Sequence, residues 1–320
     1  MTAETTAFQL LLILVGLALL YFGAEGLVRG SSSIGIRLGL TPLVVGLTIV
    51  AYGTSTPELF VGVQAAFEGK GDIVIGNVVG ANILNIALML GVAALIQPQQ
   101  VKLQLIRLDV PVIIGVFILF TFWILDGHIS RLEGLVFFTG IAGYTVFNIL
   151  KARKETSQEI QREFQDEIPQ ADGNLGVNML FILGGFVLLA LGSSLLVDNA
   201  VALATSFGVS EVVVALTIVA LGTTSPELAT ASVAAYKKES DIVFGNSIGS
   251  CLYNILCVVG VSAMVAPIHA PGISLVDLGM MIFMAVVLLP MMRTGFVLQR
   301  WEGALLICIY AGYLVYLWPK

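Results

Sequence analysis

Two glutamates can do chemistry that their surroundings would otherwise forbid. Glu58 closes the stretch GTSTPE at 53–58 and Glu227 closes GTTSPE at 222–227, each directly after a proline inside an apolar run. A charged residue at mid-span costs on the order of 3 kcal/mol to insert into a bilayer, so two equivalently placed carboxylates need compensation. A helical proline removes one N–H and displaces the carbonyl four residues back, which frees oxygens around Gly53-Thr54 and Gly222-Thr223. Further along, Asn77, Ala81 and Asn85 share one helix face at fourfold spacing, and Asn246, Ser250 and Asn254 repeat that face. Carboxylate, amide, hydroxyl and carbonyl donors without sulfur or imidazole select hard cations: Ca2+, Mg2+ or Na+. Two converging carboxylates repel, and a cation between them relieves the repulsion. They balance one divalent ion, or they share their oxygens with two or three monovalent ones. A site that takes either set but not both exchanges one for the other. Mg2+ holds its water more tightly, so Ca2+ is the better expectation.

The two motifs belong to an internal repeat. A constant offset of 169 lays residues 47–98 over 216–267 with 24 identities in 52 positions and no gap. LTIVAYGTSTPELF lies over LTIVALGTTSPELA, and DIVIGNVVGANILNI over DIVFGNSIGSCLYNI. The offset extends weakly upstream, where Leu19-Leu20 and Gly23 align with Leu188-Leu189 and Gly192.

The elements that must carry these residues are membrane helices. Of 320 residues, 58% are apolar before the 34 glycines are counted, and 11% are charged, against about 25% in a soluble domain. Too few charges remain to cover a water-soluble surface, and disorder needs the opposite composition. Apolar runs long enough to cross a bilayer lie at about 8–28, 40–66, 73–97, 109–126, 132–151, 176–197, 209–236, 242–267, 273–292 and 301–318. The expected fold is an all-α integral membrane protein of ten transmembrane helices. Five spans per half is an odd number, so the second half enters inverted, as in many secondary transporters whose site lies at the midplane on interrupted helices. The halves are 1–151 and 175–320, joined by an acidic linker at 152–174 with Glu155, Glu159 and Glu163 at helical spacing. The linker reads as a solvated segment.

Twelve of the 15 Lys and Arg residues fall in odd-numbered loops and three in even loops or termini. The positive-inside rule then puts the odd loops and the linker in the cytoplasm and both termini outside. Met1–Ala7 has no Lys or Arg, unlike a signal peptide's first region, so the run from Phe8 is expected to be retained. Trp301 and Trp318 bracket the last span like interface anchors. A net charge of −6 offers no basic patch for nucleic acid.

Other polar residues have plainer readings. Asp72 and Asp241 open spans and are expected as helix N-caps. Glu25 and Asp198 lie at span ends and are expected at the interface. Cys251, Cys257 and Cys308 sit in apolar runs and read as packing residues. Gly76, Gly80, Gly245 and Gly249 suit close helix packing. His128 and His269 fall in outer loops, away from any intramembrane role.

At the GTSTPE and GTTSPE motifs, each followed by a GN…G…N stretch, the chain resembles the sodium/calcium exchanger branch of the calcium/cation antiporter superfamily, prokaryotic type, with its two alpha repeats. The resemblance covers nearly the whole chain. It implies an antiporter rather than an enzyme, with Na+ and Ca2+ as transported ions, no cofactor and no protein partner, in the plasma membrane of a bacterium or archaeon. It implies alternating access, the helices at 8–28 and 176–197 sliding over a fixed core. By position, Glu58 and Glu227 would be the carboxylates shared by both ions. The carbonyls of Thr54 and Thr223 would bind calcium, and those of Ala51 and Ala220 sodium. Ser55, Thr224 and Ser250 would supply hydroxyls to flanking sodium sites, with Asn85 and Asn254 lining the centre. Ala81 stands where the family often has serine, which alters one sodium site. Asn254 is aspartate in potassium-dependent relatives, and its neutrality argues against potassium co-transport. Proton-coupled calcium exchange or another divalent substrate is the alternative. An intramembrane acid protease has no use for duplicated asparagine faces, and unitary currents would mark a channel.

Overall fold

The computed structural model describes residues 3–155, 174–206, 222 and 224–317. Helix α1 spans Ala3–Arg37. Helices α2 (Pro42–Thr54) and α3 (Thr56–Phe67) follow, bent by 47° where they meet. Helices α4 (Gly71–Ile96), α5 (Leu105–Ile124) and α6 (Arg131–Glu155) complete the first half. The second half holds α7 (Leu175–Ser206), α8 (Ser225–Tyr236), α9 (Ser240–Val265), α10 (Leu275–Arg293) and α11 (Arg300–Leu317). Four two-residue strands lie in the connections: β1 (Gln99–Gln100), β2 (His128–Ile129), β3 (Ile268–His269) and β4 (Val297–Leu298). Among the described residues, seven helices are long and apolar enough to cross a membrane, or eight if the bent α2–α3 pair is counted as one span. The chain is a multi-pass membrane protein.

Burial shows which helices form the centre. In α4 and α9, 72% and 83% of the span is buried, against 22–39% in the other five long apolar helices. Those five turn large apolar side chains such as Leu14, Phe122, Leu132 and Leu180 outward, where lipid rather than water must meet them. The core between them holds Phe117, Phe120, Phe137 and Phe244, all fully buried.

The offset of 169 seen in the sequence sets the geometry well beyond the motifs. Helices α3 and α8 match end for end, and α6 and α11 begin at equivalent arginines. Strand β1 pairs antiparallel with β4, and β2 with β3, so each ribbon takes one strand from each half and a two-fold exchange maps one ribbon onto the other. Local interactions repeat as well. Glu133 accepts the Ser130 N–H at 2.7 Å, and Glu302 accepts the Gln299 N–H at 2.8 Å. Arg131 donates to Val265 O at 3.5 Å, and Arg300 to Ile96 O at 3.3 Å. Helix α11 crosses α4 at Gly303 over Gly91, as α6 crosses α9 at Gly134 over Gly260.

Several sequence expectations are corrected. Helix α1 continues past residue 28 through Gly30-Ser31-Ser32-Ser33 to Arg37, because Ser31 and Ser33 return their hydroxyls to the carbonyls of Leu27 and Arg29. That places Glu25 inside the helix, where it pairs with Lys237 at 2.6 Å. Asp72 and Asp241 are not N-caps, because their helices begin one residue earlier at Gly71 and Ser240. In the first turn they still favour the helix dipole, and each reaches the other half. Asp72 accepts the Gly272 N–H at 3.0 Å, and Asp241 pairs with Lys102 at 2.5 Å. Cys251 and Cys257 are buried as expected, but Cys308 is exposed. Most of the linker at 152–174, and Trp318, lie outside the described residues.

The crossing at Gly303 is testable. A Cβ there would stand 2.7 Å from the Gly91 carbonyl oxygen, whereas one at Gly312 meets nothing within 4 Å. Gly303→Ala should cost about 1–3 kcal/mol of stability through overpacking, and Gly312→Ala should be neutral or gain up to about 1 kcal/mol from helix propensity. Thermal midpoints in detergent check this. Equal midpoints for the two variants would refute the close crossing.

Candidate ion-binding site

The site begins with two helix breaks. Ser55 leaves helical geometry at φ −87°, ψ 10°, and helix α3 restarts at Thr56 with Pro57 in its first turn. Thr224 does the same at φ −86°, ψ 0°, before α8 restarts at Ser225 with Pro226. Each restart puts a glutamate in the first turn of a twelve-residue helix, where the unpaired N–H groups favour negative charge. The placement is local chemistry: proline suits the first turn of a helix, where its missing N–H costs no hydrogen bond.

Glu58 and Glu227 are each 1% exposed, and Ser55, three residues before Glu58, reaches Glu227. Their partners differ. Ser55 Oγ donates to Glu227 Oε1 at 2.8 Å and lies 3.0 Å from Ser250 Oγ. Glu227 Oε2 and both oxygens of Glu58 have no hydrogen-bond partner among the described residues. A buried carboxylate without donors is costly unless a positive charge joins it.

The asparagine faces arrive where the sequence puts them. Asn246 donates from Nδ2 to the Glu227 main-chain carbonyl at 3.4 Å, and its Oδ1 lies 3.3 Å from Thr54 Oγ1. That Thr54 hydroxyl also lies 3.0 Å from Val50 O. The Ala51 carbonyl accepts the Ser55 N–H at 3.0 Å and lies 3.3 Å from Thr54 Oγ1. Asn85 and Asn254 are buried, with both polar atoms of Asn85 and Oδ1 of Asn254 unpartnered among the described residues. Asn77 is half-buried with Nδ2 unpartnered, and Thr224 is buried with its hydroxyl unpartnered. Thr223 and Ala220 lie outside the described residues. The structure thus brings Thr54, Ser55, Ser250, Asn246, Glu58 and Glu227 together across the two halves.

Three features have no counterpart in the sequence reading. Asn82 is fully buried and accepts from Asn254 Nδ2 at 3.3 Å, holding that amide in place. Its only signal was the middle asparagine of GNVVGANILN. The helices widen into π turns at Asn85–Met89 and Asn254–Val259, a distortion common at functional sites. Ser247 donates to the Asn85 carbonyl there at 2.8 Å. Finally, the Phe186 ring of α7 lies over Gly53, where a Cβ would come within 1.7 Å of it, so only glycine fits at the break.

Among the described residues, no three His, Cys, Asp or Glu side chains gather to hold a metal. The donor set is instead two carboxylates supplemented by hydroxyls, amides and carbonyls. Such a set suits hard cations.

A multi-pass helical protein with opposed carboxylates at duplicated helix breaks falls in the class of membrane cation transporters. The chain belongs to the sodium/calcium exchanger family: residues 8–150 and 177–318 match the family described as "Sodium/calcium exchanger protein". This makes it a membrane antiporter of the calcium-transporting kind. CaxA of Alkalimonas amylolytica is 37% identical over 306 residues, covering 94% of this chain and 96% of its own. The sodium/calcium exchanger MaX1 of Methanosarcina acetivorans is 30% identical over 343 residues, covering 96% and 97%. The solved structure of the sodium-calcium exchanger NCX_Mj, soaked with 10 mM Na+ and zero Ca2+, superposes with a TM-score of 0.83 at 27% identity, covering 97% of this chain and 99% of that one.

The unequal support of the two carboxylates predicts unequal stability effects. In choline buffer with a calcium chelator, Glu58→Gln should raise the thermal midpoint, because it removes a buried carboxylate with no hydrogen-bond donor among the described residues. Glu227→Gln should gain less, because it disturbs the Ser55 contact. A lower midpoint for Glu58→Gln than for wild type would contradict the reading.

Proposed function

We propose that the protein exchanges Na+ for Ca2+ by alternating access at a midplane site centred on Glu58 and Glu227. The observation that carries this is the hydrogen bond from Ser55, at one break, to Glu227, beside the other, at 2.8 Å. It joins the two halves at the point where both carboxylates are buried. One Ca2+ would balance the pair. Several Na+ would occupy the same oxygens and flanking ones, so the two loads exclude each other.

In this reading the ligands are the Glu58 and Glu227 carboxylates with the carbonyls of Thr54 and Thr223 for calcium, and those of Ala51 and Ala220 for sodium. Hydroxyls of Ser55, Thr224 and Ser250 complete flanking sodium sites. Asn85 and Asn254 line the centre, and Asn77 and Asn246 stand behind the breaks, as the Asn246 contacts with Thr54 and Glu227 suggest. The protein is read as ten spans in two inverted repeats, 1–151 and 175–320, with the linker 152–174 in the cytoplasm and both termini outside. The moving parts are α1 and α7. They pack on each other with Gly23 against Gly185 and Gly192 against Gly16, and touch the core at Lys237–Glu25 and at Phe186 over Gly53.

The first test is radiolabelled Ca2+ uptake into Na+-loaded proteoliposomes diluted into Na+-free, K+-free medium at fixed pH. Uptake should collapse when internal Na+ is replaced by choline. Uptake indifferent to Na+ but driven by a pH gradient would replace sodium with protons as the coupling ion. Glu58→Gln and Glu227→Gln should each abolish flux while leaving folded protein in the membrane, and near-normal flux in both would remove them from the mechanism. Ala81→Ser should shift the sodium dependence more than the calcium dependence. An unchanged sodium titration would dismiss the assigned role of that position.

A further inference from the structure

The chain has two histidines, one from each half, and they face each other. His128 on β2 and His269 on β3 are direct partners in the antiparallel ribbon. Ala270 donates its N–H to Gly127 O at 2.8 Å, which makes the neighbouring Gly127/Ala270 pair the hydrogen-bonded one. His128/His269 therefore occupies a non-hydrogen-bonded position, where opposed side chains stand closest. The ring centroids are 4.6 Å apart and the planes are inclined by 46°.

The backbone on either side is clamped. The outward-facing His128 N–H donates to Asp126 Oδ1 at 3.0 Å. The His269 main chain presses on Gly71, where a Cβ would lie 2.1 Å from the His269 carbonyl oxygen. Past β3, Gly272 is tied to Asp72. His269 is exposed and His128 half-buried, so solvent ions reach the pair. The ribbon at the equivalent place in the other half, β1–β4, pairs Gln100 with Val297. The imidazole pair is thus not a by-product of the duplication.

We propose that His128 and His269 form a two-imidazole site for a transition-metal ion of the Zn2+, Ni2+ or Cu2+ class, separate from the transported ions. Imidazole suits these borderline metals, whereas the buried carboxylate and amide oxygens suit hard ones. Two adjacent ring nitrogens take two positions of a tetrahedral or square coordination shell, and water takes the rest. The carboxylate of Asp126 next to the pair adds favourable negative charge. Because one ligand comes from each half, a bound ion also staples the halves together at this ribbon.

The test uses untagged protein in detergent, titrated calorimetrically with ZnCl2 in the presence of saturating Ca2+. Wild type should bind one Zn2+. Loss of even an outer-shell partner costs about 10–100-fold in metal affinity, so His128→Ala and His269→Ala should each weaken binding at least tenfold. The double variant should lose it, and Glu227→Gln should keep it. Zn2+ should raise the thermal midpoint of wild type and not that of the double variant. Cu2+ electron paramagnetic resonance should show nitrogen couplings from two imidazoles in wild type and one in each single variant. Absence of Zn2+ binding to wild type, or unchanged binding in the double variant, would overturn the site. So would loss of binding in Glu227→Gln alone, which would place the ion among the carboxylates.

Discussion

The rest of the structure is arranged around one electrostatic constraint: two carboxylates held together in a place that water does not fill. Glu58 and Glu227 are almost completely buried, and only one of their four oxygens has a hydrogen-bond partner among the described residues. Such a pair cannot be supported by packing alone. Positive charge must come from helix N-termini and, in the proposed exchange, from a bound cation, and the first demand shapes the fold. The helix ends require breaks at mid-depth, and a break in lipid requires protein on every side. That is why α4 and α9, the most buried helices, flank the breaks, and why the remaining helices present apolar faces outward.

Duplication meets these demands economically. A single broken helix offers one carboxylate and one N-terminus. Two copies related by a two-fold place both at one point, with the hydroxyl of one break answering the carboxylate of the other. The same exchange operates far from the centre, in the crossed ribbons and in the reciprocal links of Asp72 to Gly272 and Asp241 to Lys102. These tie the two halves' central helices to each other rather than to α1 and α7. The long pair α1 and α7 meets the core at the part-buried Glu25–Lys237 pair, at Gly35 against Val45 and at the Phe186 ring over Gly53. A body bound this way can shift as a unit at lower cost than one interlocked by buried polar contacts.

Much of this was legible in the sequence, for identifiable reasons. The repeat offset survives because both copies carry the same local requirements: glycine and proline at the break, glutamate just after it, asparagine at fourfold spacing. The breaks at Ser55 and Thr224 fall where proline chemistry puts them. What was hidden depends on contacts between distant segments. Asn82 looks like any helical asparagine until Asn254 is seen to lean on it. The π turns at Asn85–Met89 and Asn254–Val259 leave no compositional trace. The extension of α1 through three serines was obscured because serine is a poor helix former in isolation, yet back-bonding to carbonyls satisfies it in an apolar setting. The aspartates of α4 and α9 read as caps because their cross-links lie some 140 to 200 residues away. The histidines seemed unrelated because they come from different halves, and only the strand register opposes them.

The two halves are alike in backbone and unlike in lining, and the differences concentrate at the centre. Ser55 faces Thr224, Ala81 faces Ser250, Val78 faces Ser247 and Asn82 faces Cys251 across the repeat. Three of the four change a donor or acceptor, whereas Thr224 keeps the hydroxyl of Ser55. A perfectly symmetric cage would give both carboxylates the same partners and the same affinity for every ion. Here Glu227 is steadied by Ser55, whereas Glu58 has no donor among the described residues, so in the proposed exchange a cation entering the pair would meet one fixed oxygen and three uncommitted ones. In that proposal the fixed oxygen would set where the ion sits. The uncommitted carboxylate can follow either one divalent ion or a differently spaced set of monovalent ones, which is what a site must do if it is to hold two unlike loads in turn.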